Sequence, residues 1–258
     1  VLAKGHRLKP ADLGLVASLG IAEVKVFRKL KVSFFSTGDE LISVGNPQQE
    51  GQIYDSNRYT IFGMLSRLGA EICDLGVVPD QPELLEKTLL NAARENDVVI
   101  TSGGVSVGEA DYMKALLAQH GQVLFWKINM KPGRPLAYGK VGSANYFGLP
   151  GNPVSTMVTF YQFVQTALQS LSGEIYRSIP FFHVECTEPI KKATGRTEFQ
   201  RGVLFEEAGV WKVKPLPNQG SGILSSMSVA NCFIVLDDDA GNCQAGSIVK
   251  VQTLDSFI

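Results

Sequence analysis

The stretch Asp97-Val98-Val99-Ile100-Thr101-Ser102-Gly103-Gly104-Val105-Ser106-Val107-Gly108-Glu109-Ala110-Asp111 decides how this chain is read. An apolar run of strand character ends in small residues and glycines and then enters a helix. Such a junction lets backbone N–H groups approach an anion that bulky side chains would exclude. It has the construction of a phosphate cradle, with Ser102, Gly103, Gly104 and Ser106 as its candidate contacts.

Glu109 and Asp111 stand at the mouth of the helix, and two roles fit them. Either they cap the helix N-terminus, or they face a bound phosphate across a divalent cation, since a bare carboxylate would repel the ligand.

Working outward, the segment from Lys31 to about Gly173 alternates strand and helix. Val32 to Ser36 runs into Thr37-Gly38-Asp39-Glu40, and a helix carrying Ile61, Met64, Leu65 and Leu68 on one face stops at Gly69. Ile72 to Val78 is the next strand, and Asp80 with Glu83 reads as a capping pair for a helix carrying Leu84, Leu85, Thr88, Leu89 and Ala92. Val98 to Thr101, Val123 to Trp126 and Tyr146 to Leu149 supply further strands. This alternation predicts an α/β three-layer sandwich with a mostly parallel sheet. Ligands of such sheets bind beyond the carboxyl ends of the strands, where the loops 37–40, 79–80 and 102–111 should meet.

After Gly173 the pattern changes to short β-rich runs, Phe181 to Cys186, Phe199 to Phe205, Val210 to Val213, Asn231 to Val235 and Ser247 to Val251, separated by turn residues. These predict a small all-β barrel of about five strands. Residues 1–27, a helix ending at Leu19-Gly20 and then a strand from Glu23 to Phe27, are too few to bury an apolar face. They are expected to be the remnant of an N-terminal domain. The division is then 1–27, an α/β domain over 28–176 and a barrel over 177–258.

The 258 residues, 45% hydrophobic and 19% charged, are globular in composition and not disordered. A formal net charge of −1 gives no global attraction to nucleic acid or an acidic membrane, so anion binding must be local. No apolar run of about 18 residues suggests a membrane helix. Cys73, Cys186, Cys232 and Cys243 lie far apart without a C-x-x-C pair and read as reduced thiols of a cytoplasmic protein. The nucleotide-binding and metalloprotease signatures G-x-x-x-x-G-K-[ST] and H-E-x-x-H are absent, and His6, His120 and His183 are scattered. Chemistry must then fall to carboxylates and lysines.

Two further clusters lie near the expected ligand edge. Lys127-Ile128-Asn129-Met130-Lys131-Pro132-Gly133-Arg134-Pro135 gathers three cations on one loop, as a solvated basic turn or as an anion contact. Gly148-Leu149-Pro150-Gly151-Asn152-Pro153-Val154-Ser155 starts a helix with the stripe Val154, Met157, Val158, Tyr161, Val164, Leu168 and Leu171. It serves as a tight turn or as a second set of N–H donors for an oxyanion.

Thr37-Gly38-Asp39-Glu40-Leu41, Ile53-Tyr54-Asp55-Ser56-Asn57, the Thr101-to-Lys114 segment, Met130-Lys131-Pro132-Gly133 and Gly148-Leu149-Pro150-Gly151-Asn152-Pro153 together resemble the molybdopterin molybdenumtransferase family, to which the gephyrin E domain is similar. The likeness runs nearly end to end and in order. It implies that the α/β domain holds adenylylated molybdopterin and that molybdate is inserted at the dithiolene while AMP is released with help from Mg²⁺. By resemblance, Asp80 and Asp111 are the metal carboxylates and catalytic residues, with Glu40 a further acidic catalytic residue. Lys131, beside Pro132, belongs to the molybdate site, with Arg201 and Ser221 as partners from the barrel. Lys127 and the turn Pro150, Gly151, Asn152 and Pro153 line the same cleft. Taken alone, Arg201 and Ser221 read as ordinary surface residues.

The resemblance further implies a homodimer and a molybdopterin adenylyltransferase as the supplier of substrate. Family members carry an additional N-terminal region that contributes to the site, so insertion by this chain alone should be weak or absent. Two rivals remain: an adenylyltransferase itself, against which the β-rich extension argues, and a gephyrin-like scaffold without catalysis, against which the intact acidic and basic positions argue.

Overall fold

The computed structural model describes residues 2–104, 109–176 and 178–257, with the side chains of 109–111, 256 and 257 outside the description. Helix α1 spans Pro10–Ser18 and buries none of its residues, and no strand forms over 23–27. The alternation of Val24 and Val26 finds no ladder partner there. These side chains stay exposed, and with Phe27 they help line a cavity of about 710 Å³ behind the amino end of the first strand.

The α/β part contains strands β1 (Lys31–Thr37), β2 (Leu41–Ile42) and β3 (Ile53–Tyr54), then helix α2 (Asn57–Arg67), strand β4 (Glu71–Val78) and helix α3 (Pro82–Glu95). Strand β5 (Val98–Ser102) leads through the glycines to α4 (Glu109–His120), followed by β6 (Gly121–Lys127), β7 (Met130–Lys131), β8 (Pro135–Val141) and β9 (Ala144–Leu149). The sheet order is β4-β1-β5-β9-β8-β6. Pairing is parallel from β4 to β9, and β8 is antiparallel to both β9 and β6, so one strand of six runs against the rest. The mostly parallel sheet is as expected; β8 was not, because its Pro135 start and Gly139 obscure the strand pattern.

One face of the sheet packs Val32, Phe34, Val98, Ile100, Phe147 and Leu149 against α2 and the helix that begins at Pro153. The other packs Phe35, Val99 and Tyr146 against α3 and α4. That helix runs as α5 (Pro153–Thr159), a π-helical turn over Phe160–Val164, and α6 (Gln165–Leu171). The apolar stripe Val154, Val158, Tyr161, Val164 and Leu168 stays buried throughout.

Beyond Gly173 the strands β10 (Phe182–Cys186), β11 (Thr197–Glu207) and β12 (Val210–Pro215), the short helix α7 (Ser225–Val229), and β13 (Cys232–Leu236) and β14 (Ile248–Thr253) form the second unit. Their order β12-β10-β14-β13-β11 closes through a β12–β11 pairing, which makes a five-stranded barrel. Strand β7, from the α/β part, adds itself in parallel to β11 and pairs Lys131 with Glu198. The core continues between the units through Phe199, Met227, Phe233 and Val235, which join Met130, Phe160 and Tyr161 in one apolar cluster.

Candidate functional site

The carboxyl ends of β1, β4, β5, β9 and β6 share one edge of the sheet, and the loops that leave them build the site. Gly103 adopts φ +87°, and a Cβ there would lie 2.2 Å from the carbonyl oxygen of Thr37. Only a residue without a side chain lets the β5 loop press this closely on the end of β1. The next glycine sits over the Thr37 methyl, and a Cβ on Gly151 would lie 3.9 Å from the Gly103 Cα. Three loops therefore touch at backbone distance.

Asn57, at the start of α2, pins two of them together. Its Nδ2 donates to Ser102 Oγ at 2.8 Å and to the Gly151 carbonyl at 2.7 Å. The Ser102 hydroxyl donates in turn to the Pro150 carbonyl at 3.5 Å, and Thr156 Oγ1 donates to the same carbonyl at 2.6 Å. Under this arrangement Ser36 Oγ, Asp55 Oδ2 and Asn57 Oδ1 are buried and find no partner among the described residues. The Ile53-Tyr54-Asp55-Ser56-Asn57 motif carries the family likeness, but the tie that Asn57 makes between two loops was not expected from the residues. The signal available in the sequence was an amide, with two donors and an acceptor to satisfy, just after a helix-start serine.

On the acidic side, Thr37 Oγ1 donates to Asp80 Oδ1, and the Asp80 backbone N–H reaches Asp39 Oδ1 at 3.4 Å. The Glu40 carboxylate folds back over Gly38, where a Cβ would come within 2.7 Å of its Oε2. Glu40 and Asp80 thus occupy one end of the edge, as expected. The expected capping pair of Asp80 and Glu83 does not form. Gln81 is the N-cap of α3 without a side-chain bond, Pro82 opens the helix, and the Asp80 carboxylate is turned to Thr37 instead. The carboxylates of Glu109 and Asp111, and Ser106, lie outside the described residues, so the expected pairing of Asp80 with Asp111 does too.

The barrel closes the opposite side. The Val154 N–H, in the first turn of α5, donates to the Ser221 carbonyl at 3.0 Å, which sets Ser221 beside the Pro150-to-Pro153 turn. Asn152 is the N-cap of α5 and Pro153 its first residue, as the sequence predicts, with no capping bond from the Asn152 side chain. Arg201 is not a surface residue. It is 1% exposed, donates from Nε to Ser226 Oγ at 3.1 Å and from Nη2 to the carbonyls of Asn218 and Gly220 at 3.2 and 3.1 Å. Burial without a carboxylate partner lowers its pKa to about 10.

Lys127 is exposed at the carboxyl end of β6, five strands from β4, about 24 Å across the sheet at normal strand spacing. Lys131, followed by a cis peptide to Pro132, places its Nζ 3.3 Å from Glu198 Oε1. Strand alternation puts Glu198 and Gln200 on one face of β11 and Phe199 and Arg201 on the other. Lys131 and Arg201 therefore leave the β7–β11 pair on opposite faces.

The donor set at the acidic end is all oxygen: Asp39, Glu40, Asp80 and the Thr37 hydroxyl. That chemistry suits a hard divalent cation which takes one or two carboxylates together with ligand phosphates and water. Among the described residues no group of three or more His, Cys, Asp or Glu is assembled as a metal cage. Also among them, no helix is long and apolar enough to cross a membrane.

Comparison with known proteins places this geometry. Residues 33–170 match the family described as "Probable molybdopterin binding domain", and residues 183–254 match the "MoeA C-terminal region (domain IV)". The whole chain is 49% identical to the molybdopterin molybdenumtransferase of Haemophilus influenzae, of which it covers 64%. It is 35% identical over 97% of its length to gephyrin of Dictyostelium discoideum, covering 40% of that protein. The crystal structure of the molybdopterin biosynthesis protein MoeA from Pyrococcus horikoshii superposes with a TM-score of 0.83 at 30% identity, over 98% of this chain and 61% of that one. The chain spans less than two thirds of the length of each of these relatives. With residues 33–170, more than half of its length, under that first model, the chain belongs to the family of probable molybdopterin binding domains, and the region that follows is similar to MoeA domain IV.

Proposed function

We propose that this chain carries the substrate-binding part of a molybdenum insertase, which takes adenylylated molybdopterin and molybdate and yields molybdenum cofactor and AMP. The single observation that supports this most is the contact of three loops at Thr37, Gly103 and Gly151, the last two pinned together by Asn57. It gathers loop backbone at one sheet edge, with the carboxylates of Glu40 and Asp80 at one end and the barrel's Ser221 segment beside the Pro150-to-Pro153 turn at the other.

In this reading the Gly103–Gly104 backbone and the start of α5 bind the phosphate groups, whose charge helix N-termini favour. Asp80, oriented by the Thr37 hydroxyl, and Asp111 would hold Mg²⁺. When bound, that ion would neutralise the phosphoanhydride so that its P–O bond to AMP can break. Arg201, charged at neutral pH and set among carbonyls, offers a preorganised positive charge for a tetrahedral dianion, with Ser221 as a hydroxyl donor. Lys127 and Lys131 supply further cations from the β6–β8 connection, and Glu40 a second carboxylate beside the metal position. The match of residues 183–254 to a MoeA C-terminal region favours insertion over adenylyl transfer. The homodimer, the adenylyltransferase partner and a cytoplasmic setting rest on the family likeness.

Calorimetric titration of AMP with Mg²⁺, and of molybdate, into the purified chain tests this. Binding of both is expected, with Asp80→Asn weakening Mg²⁺-dependent AMP binding about tenfold or more at an unchanged melting temperature. Failure of the unmodified chain to bind either ligand would overturn the proposal.

A further inference from the structure

Glu198 is a buried carboxylate at the junction of the two units, and the proposed function gives it no role. Its side chain is 4% exposed against 53% for the Lys131 side chain whose ammonium it holds at 3.3 Å. Gln200 Nε2 donates to its other oxygen at 3.0 Å, and to the Lys191 carbonyl at 3.1 Å, which locks the carboxylate in place. Both residues lie on the face of β11 that carries Gly202, where a Cβ would meet the side chains of Val213 and Ile234 inside the barrel. Arg201, on the opposite face, reaches the Asn218–Gly220 segment next to Ser221. Lys131, the cation of β7, is thus held on the Glu198 face of the strand pair, the face opposite to that of Arg201.

We propose that Glu198 is a positioning residue that competes with the oxyanion for Lys131. In the ligand-free protein it keeps the ammonium on the Glu198 face of the β7–β11 pair. A dianion bound beside Arg201 and Ser221 recruits Lys131 by drawing it off Glu198, and the lost ion pair raises the concentration of dianion needed. The half-exposed lysine can make this move because its long stem rotates in solvent, whereas Glu198 is fixed by Gln200 and by burial. The inference rests on the reading of Arg201, Ser221 and Lys131 as an oxyanion site.

The test compares molybdate affinity of the unmodified chain, Glu198→Gln and Glu198→Asp by calorimetry, together with a crystal structure of the molybdate complex. Glu198→Gln keeps the shape and the bond to Gln200 but removes the charge, so molybdate should bind about fivefold more tightly. Glu198→Asp keeps the charge and should stay nearer the unmodified affinity, which a merely structural role would not distinguish. In the complex the Lys131 Nζ to Glu198 contact should open beyond hydrogen-bond distance. Equal or weaker binding by Glu198→Gln, or a complex in which that contact is intact, overturns the competition while leaving the oxyanion site standing. No molybdate binding by the unmodified chain overturns the site and the competition together.

Discussion

A single physical cause acts in opposite directions on the buried ionisable groups. Loss of hydration disfavours whichever form is charged, so it lowers the Arg201 guanidinium and raises the thiols of Cys186 and Cys232, the latter to about 12. At pH 8 the Cys232 thiolate fraction is then about 10⁻⁴, and the residue is closed to reagents as well. Alkylation with iodoacetamide at that pH should modify exposed Cys73 in the native protein, leaving Cys186 and Cys232 intact until denaturant is added. Mass mapping of the peptides reads the result, and native labelling of Cys232 would contradict it. Arg201 marks where residue-level reading stopped short. Gln200-Arg201-Gly202 has no local signature of burial, because the carbonyls that receive the guanidinium come from a loop about 17 residues further on. Glu198 was invisible for the same reason, since its partner Lys131 is 67 positions away.

At the scale of elements, the strand-to-loop junctions matter more than the strands. Gly103 is required by the carbonyl of Thr37, so Gly103→Ala places a methyl against backbone that cannot yield and forces φ +87° on a residue with a Cβ. A loss of about 1–3 kcal/mol in stability is expected, read by chemical denaturation, with AMP affinity falling more than tenfold because the cradle opens. Retained AMP affinity in that variant would show that the β5 loop does not form the phosphate contact. The helix stripes of α2, α3 and α5 were legible because apolar spacing near 3.6 residues survives any tertiary arrangement. Strand β7 was not, for two residues flanked by a proline become a strand only when β11 offers its edge. Conversely, the alternating run at 23–27 looks like a strand and remains unpaired.

At the scale of the molecule, the two units share one core. Phe233 from β13 is fully buried, its ring 6.4 Å from those of Tyr161 and Phe199, and Gln162 Nε2 donates to Gln252 Oε1 across the same boundary at 2.9 Å. Phe233→Ala should cost about 3–5 kcal/mol through the cavity it leaves. Trp126 on β6 and Trp211 on β12 report the two units separately, so single-tryptophan variants should show coincident unfolding midpoints that shift together in Phe233→Ala. Midpoints that separate in the unmodified core would mean that the units unfold independently. The sequence by itself determined the alternation of strand and helix, the glycine junction after β5, the change to short strands after Gly173, and the family those motifs belong to, because each is written in periodicity or in residues that a local backbone geometry requires. Tertiary structure alone decided that β8 runs against its neighbours, that Asn57 ties the β5 and β9 loops together, that Asp80 faces Thr37 instead of capping α3, and that Lys131 is held by Glu198. Those outcomes depend on which distant segments arrive within a few ångströms, and hydrogen bonds and ion pairs fall off too steeply with distance to be inferred from order along a chain.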